Sequence, residues 1–145
     1  MDIFIITDIA DLRSISIDYL TAKYGYMVFK KGRSTRVNSS PNTIYFDKGE
    51  FIGSFIFNKN VLRRIVLMPL IPGIKAPNYP SEEHQNAKKE YCISILRDLY
   101  GKETKSDTTG AYWEIGGITI GCTVILEGQN RYTGGDIFFD FPPIF

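Results

Sequence analysis

His84 is the only histidine in the chain, so any Ser-His-Asp or Cys-His arrangement has to be built on it, because the base that activates such a nucleophile is an imidazole. It falls in the first turn of a helical pattern, where the positive end of the helix dipole disfavours a protonated ring. It reads as a surface residue, and no catalytic residue is assigned. Metal chemistry would rest on carboxylates, and the stretches DIADL and GGDIFFD offer pairs. On a strand, Asp136 and Asp140 would share one face about 13 Å apart at roughly 3.3 Å per residue, too far for one ion. Gly116-Gly117 and Gly134-Gly135 read as turns, since neither belongs to a phosphate-binding GxxxxGK[ST] or a helix-opening GxGxxG. Cys92 and Cys122, thirty positions apart without CxxC spacing, fit neither a zinc site nor a disulfide framework and are expected as buried free thiols. No metal or cofactor is expected.

Binding chemistry is better represented. Residues 23–36 carry Lys23, Lys30, Lys31, Arg33 and Arg36 with no acid, interleaved with Tyr24, Tyr26 and Phe29. Such a segment can meet an acidic patch on a partner protein, can hold phosphates and stack bases, or can simply be a solvated loop after a helix. Lys30, Lys31, Arg33 and Arg36 are the candidate contacts. Residues 2–18 are the counterweight, with Asp2, Asp8, Asp11 and Asp18 against Arg13 alone. An acidic face of this kind suits an inhibitor of a nuclease toxin, because it mimics the nucleic acid such a toxin binds. Among the aromatics, Tyr45, Trp113 and Tyr132 are the expected binding anchors.

The elements that must position these residues follow from periodicity. From Ser81 the pattern is helical: Ser81 caps, Glu82 and Glu83 suit the first turn, and Ala87, Tyr91, Ile95 and Leu99 recur every four residues, with Cys92 and Leu96 widening the stripe. Lys88, Lys89, Glu90, Ser94, Arg97 and Asp98 fall on the other side, and Gly101 is expected in the left-handed conformation that ends a helix. An earlier helix is expected from a cap at Thr7 or Asp8 through Ile9, Leu12, Ile15, Tyr19 and Ala22 to Gly25, with a short strand over residues 3–6 before it. After each helix come an irregular stretch and three strand signals. These are Tyr45 to Asp47, Phe51 to Phe57 and Val61 to Met68 in the first half, and Tyr112 to Glu114, Ile118 to Leu126 and Asp136 to Phe141 in the second.

The same order occurs twice. Ile17, Leu20, Tyr24 and Gly25 align with Ile93, Leu96, Tyr100 and Gly101, while Tyr45, Phe46, Asp47 and Gly49 align with Tyr112, Trp113, Glu114 and Gly116. The halves, 1–68 and 81–145, are joined by a connector over 69–80 that holds four of the seven prolines. A helix with three strands has too little core alone. Two units placed edge to edge give one domain over 1–145, an α+β fold with an antiparallel sheet and both helices on one face. Alternation puts Phe51, Phe55 and Phe57 opposite Ile52 and Ile56, so both faces of that strand are apolar. The face without helices is left for a partner chain, a second copy of this one, or the DFPPIF tail.

The pairs LTAKYG with IYFDKG and LRDLYG with YWEIGG, set in this doubled layout, resemble the tandem repeat of the β-lactamase inhibitor protein and the related small lipoproteins of outer-membrane assembly. The resemblance implies a binding protein that grips another protein with a concave sheet and its loops, as immunity and inhibitor proteins do. The chain lacks the inhibitor's disulfide-like cysteine pairs, so a β-lactamase target is not implied.

Composition sets the outer bounds. A chain of 145 residues is one ordinary domain, and ten Phe and nine Tyr favour strands. With 17 basic and 16 acidic side chains the formal charge is +1, so no whole-molecule field draws the protein to nucleic acid or an anionic membrane. The start MDIFIITDIADLR has neither a basic opening nor a long apolar run, which points to a cytoplasmic protein with no membrane segment. The expectation is a non-enzymatic binding protein, an immunity or inhibitor protein directed at a toxin or enzyme. The alternative is a nucleic-acid-binding module using residues 23–36, and a homodimer is the further option for the open face.

Overall fold

The computed structural model describes residues 3–142. Strand β1 (Phe4–Ile6) leads into a 3-10 helix (Ile9–Ser14) and helix α1 (Ile17–Tyr24). Strands β2 (Met27–Lys31), β3 (Ser34–Asn38), β4 (Ile44–Phe46), β5 (Gly49–Asn58) and β6 (Val61–Pro69) complete the first half. The second comprises α2 (Glu82–Tyr100), β7 (Lys105–Ser106), β8 (Gly110–Ile115), β9 (Ile118–Thr123) and β10 (Ile137–Asp140). The fold is α+β, as the sequence pattern indicates.

The sheet runs β1-β4-β5-β6-β10-β9-β8-β7. The three strands β4, β5 and β6 of the first half are mirrored by β8, β9 and β10 of the second, and the halves meet where β6 and β10 pair antiparallel from Leu67↔Ile137 to Arg64↔Asp140. Among the described strands the single parallel pair is β1 with β4. The outer edge of β5 is shared: β4 lies along Gly49 to Phe51 and β3 along Ser54 to Asn58, with β2 outside β3.

One face of this sheet is core. Val37, Phe55, Ile65, Phe139, Ile120 and Trp113 are successive cross-strand partners over six strands, and none is more than 1% exposed. Each such side chain contributes roughly 1.5–3 kcal/mol by leaving water. Tyr24 of α1 stacks on Tyr26 and meets Phe4 at a tilt, and both of those rings contact Phe55. On the same face α2 packs over β6, β8 and β9.

Four expectations need correction. The first helix is not continuous. Asp8 caps a 3-10 turn through the Ala10 N–H, the chain extends at Ile15, and Ser16 starts α1 afresh by accepting from the Tyr19 N–H. The β-branched Ile15 and Ile17 on either side of Ser16 weaken the helix where a capping serine is at hand. Residues 27–38 are no irregular loop but the β2–β3 hairpin. The buried stripe of α2 is turned by one position, to Gln85, Lys88, Cys92, Ile95 and Leu96, so Lys88 lies inside and Leu99 is 40% exposed. Gly101 has φ 78 and ψ −151, a glycine-favoured conformation that is not the left-handed helical one, whereas Gly25 at φ 67 and ψ 25 is.

Candidate functional site

The second face of the sheet has no described element packed on it. Its side chains are those opposite in parity to the core, and they form two rows. The first is Phe29, Arg36, Ile56, Arg64, Asp140, Thr119 and Glu114; the second is Met27, Asn38, Ser54, Val66, Phe138, Gly121 and Tyr112. Ile52 and Met68 pair on the same side. Met27, Phe29 and Met68 are 59%, 50% and 42% exposed, and Ile52, Ile56, Val66, Phe138 and Tyr112 are half-buried.

Most polar groups on this face are engaged. Arg64 grips Asp140 with Nε at 2.5 Å and Nη2 at 2.8 Å while its guanidinium lies 5.0 Å from the Phe138 ring centre. Phe138 covers Gly121, where a Cβ would strike the ring. Thr119 donates to Glu114, and Ser54 donates to Asn38. The exceptions cluster at one margin. Among the described residues, Lys30, Lys31, Arg33, Arg36 and Lys59 take part in no ion pair. The hairpin turn and the β5–β6 turn are tied together there, the Lys59 N–H donating to the Arg33 carbonyl at 3.0 Å.

The expected contact residues are thus divided. Lys31, Arg36 and Tyr45 face the uncovered side, Lys30 has the parity of Thr35 on the other side of the sheet, and Arg33 stands in the turn at the margin. Trp113 is corrected: it is 1% exposed beneath α2, where its Nε1–H donates to the Gly101 carbonyl at 3.0 Å. Tyr132 lies in the loop between β9 and β10, which is pinned to α2 rather than to the uncovered face. Tyr24 and Tyr26 are 6% and 5% exposed, and burial pushes the Tyr26 phenol up to about 12. Of the three rings read as interleaved with the basic residues, only Phe29 is available to stack, which leaves the nucleic-acid reading little aromatic platform.

A second region joins side chains that residue type alone separates. Lys88 Nζ stands 3.0 Å from Asp136 Oδ1. Gln85, fully buried, accepts from the Ile125 and Gly134 N–H groups and donates to the Ile125 carbonyl. Burial raises the Asp136 carboxyl, against the pull of Lys88. Asp136 precedes β10 and turns to the helix side while Asp140 faces the other way, so the expected common strand face is corrected. Cys92 and Cys122 are both free and buried, as expected. The Cys92 thiol is pushed strongly up by its hydrogen bond with Cys122 and by burial, which keeps it from the thiolate form that reacts. This cluster fastens loop to helix.

A cleft of about 510 Å³ lies between β1, the 3-10 helix and α1. Asp8 and Asp11 line it with Ile5, Ile15, Tyr19 and Tyr24. It belongs to the acidic stretch, of which Asp2 lies outside the described residues. Among the described residues no group of three or more His, Cys, Asp or Glu side chains could hold a metal ion, and no helix is long and apolar enough to cross a membrane. No family model, curated protein or solved structure matches the chain.

Proposed function

We propose that this is a non-enzymatic protein-binding protein that engages another protein through the uncovered sheet face, in the manner of an immunity or inhibitor protein that blocks a toxin or enzyme. One observation carries the reading: a sheet face on which Met27, Phe29 and Met68 are exposed beside the half-buried Ile52 and Ile56, flanked by cations that take part in no ion pair among the described residues. Apolar side chains grouped with a polar rim are the make-up of an interaction patch.

The test places a photo-crosslinking amino acid at Phe29 or Met68, on the face, and at Ile74, which is 48% exposed in the connector. The face positions should yield one protein adduct that the connector position does not. Stoichiometric addition of the pure protein should then suppress the captured partner's activity. Equal adducts from all three positions, or none from the face, would overturn the proposal.

A further inference from the structure

Strand β2 is the outermost strand beyond β3, and all five of its residues are exposed. The turn at Gly32 and Arg33 has two residues, with Gly32 at φ 61, so the closing pair Lys31↔Ser34 is hydrogen-bonded on both sides. Such pairs alternate along an antiparallel ladder with pairs whose N–H and C=O groups turn outward. Val28↔Val37 and Lys30↔Thr35 are of the second kind. The parity is confirmed inside the fold: the Arg33 carbonyl and the Ser39 N–H, of the same parity as Thr35 and Val37, are both bonded toward β5. On the outer side, the Tyr26 N–H is taken by the Leu20 carbonyl at the end of α1. Among the described residues the outward backbone groups of Val28 and Lys30 have no partner, and this edge begins where the end of helix α1 takes the Tyr26 N–H.

Natural edges are guarded by lysines, prolines or bulges. Here Lys30 and Lys31 guard only the turn end, and Met27, Val28 and Phe29 are left apolar. The charge around this edge has one sign: residues 19–46 contain no acid, and Lys30, Lys31, Arg33, Arg36 and Lys59 converge at the hairpin tip. A second copy of the chain would bring the same five cations to the junction, which disfavours edge-to-edge self-pairing.

Resting on the binding role proposed above, we propose that the edge of β2 takes an extended, acidic segment of the partner protein as a further strand. Backbone bonds to Val28 and Lys30 supply the pairing. Apolar residues of the segment lie beside Met27, Val28 and Phe29, and its acids lie beside Lys30 and Lys31.

The probe is a phage-displayed library of random twelve-residue peptides selected on the intact protein. Selected peptides should carry two or more Asp or Glu next to a β-branched or aromatic run, and the Val28 and Lys30 amides should gain hydrogen-exchange protection when they bind. The pair Lys30→Glu and Lys31→Glu should weaken binding by about tenfold or more, since like charges then face each other. Val28→Pro should abolish it with thermal melting unchanged, because proline removes only an outward N–H; should the proline variant fail to fold, the charge pair still tests the same edge. Pools without acid enrichment, peptides indifferent to the charge pair, a dimer that buries the β2 amides, or binding of a single-stranded oligonucleotide in place of peptides would each overturn the inference. Adducts from Phe29 and Met68 together with a barren peptide selection would retire the edge and leave the binding role standing.

Discussion

Lys88 on α2 and Asp136 just before β10 form an ion pair at 3.0 Å with only 7% of the lysine side chain and 25% of the aspartate side chain exposed. The carboxyl is nonetheless raised above its ordinary range, so the burial of its charge outweighs the attraction of the lysine. The two partners are therefore unequal. Lys88→Met strands a buried carboxylate and should cost about 3 kcal/mol at neutral pH, whereas Asp136→Asn leaves the ammonium near the Thr133 carbonyl and should cost less. Replacing both by apolar residues should recover most of the loss. The pH dependence has a definite sign. A carboxyl whose folded value is raised gives stability that is full below its unfolded value and is lost as pH rises through the folded one. The Lys88→Met deficit should thus shrink as the medium is acidified toward pH 4, as read by urea midpoints across pH.

Gln85 has no exposed surface and holds three backbone groups of the β9–β10 loop, at Ile125 N–H, Ile125 C=O and Gly134 N–H. Gln85→Leu keeps the volume and removes every one of those bonds. Each buried backbone group left without a partner costs about 1–3 kcal/mol, but the loop can open to water and recover part of it. The expected result is a loss of about 2–4 kcal/mol with hydrogen exchange accelerated first at Ile125 and Gly134. Unchanged exchange at those two amides would show that the loop is held by other means.

Trp113 is the only tryptophan and serves the interior. Trp113→Phe should lower stability by about 1–3 kcal/mol, through the orphaned Gly101 carbonyl and the volume left under α2. Partner capture through the opposite face should be unaffected once the variant is folded. The native fluorescence should be that of a water-excluded indole, shifting to the red on unfolding.

The alternation of β5 and the Ser81 cap of α2 are legible in the sequence because one periodicity and one local bond determine them. The joining of two halves into one sheet was legible as a need for burial, though which strands meet depends on β6 and β10 contacts about seventy residues apart. Lys88 reads as a solvent-facing residue because helical periodicity ranks residues by type, and its burial depends on one carboxylate from another element. Residue type alone makes Trp113 an anchor. Its parity, opposite to Tyr112 and Glu114 and shared with Ala111, carries the correct answer. The β2–β3 hairpin carries almost no periodic signal, because only Thr35 and Val37 are buried among eight exposed or half-exposed side chains.

Arg97 and Glu103 close the end of α2 through two bonds, Nε to Oε2 at 3.0 Å and Nη2 to Oε1 at 2.9 Å. The guanidinium holds the Glu103 carboxyl down at about 2, well below the usual carboxylate range. A carboxyl lowered by folding gives stability that is complete above its unfolded value, about 4.3, and that is lost as pH falls through the folded value. The wild type should therefore lose helix-end protection between about pH 4 and pH 2. Glu103→Gln should show the same loss already at neutral pH and no further change from this group on acidification. Because Arg97 is largely in water, the effect on overall stability is small, and hydrogen exchange at the Gly101 amide, bonded to the Arg97 carbonyl at 2.8 Å, is the measurement that isolates it. Protection at Gly101 that is indifferent to pH and to the glutamine substitution would mean that the helix end is fixed by its backbone alone.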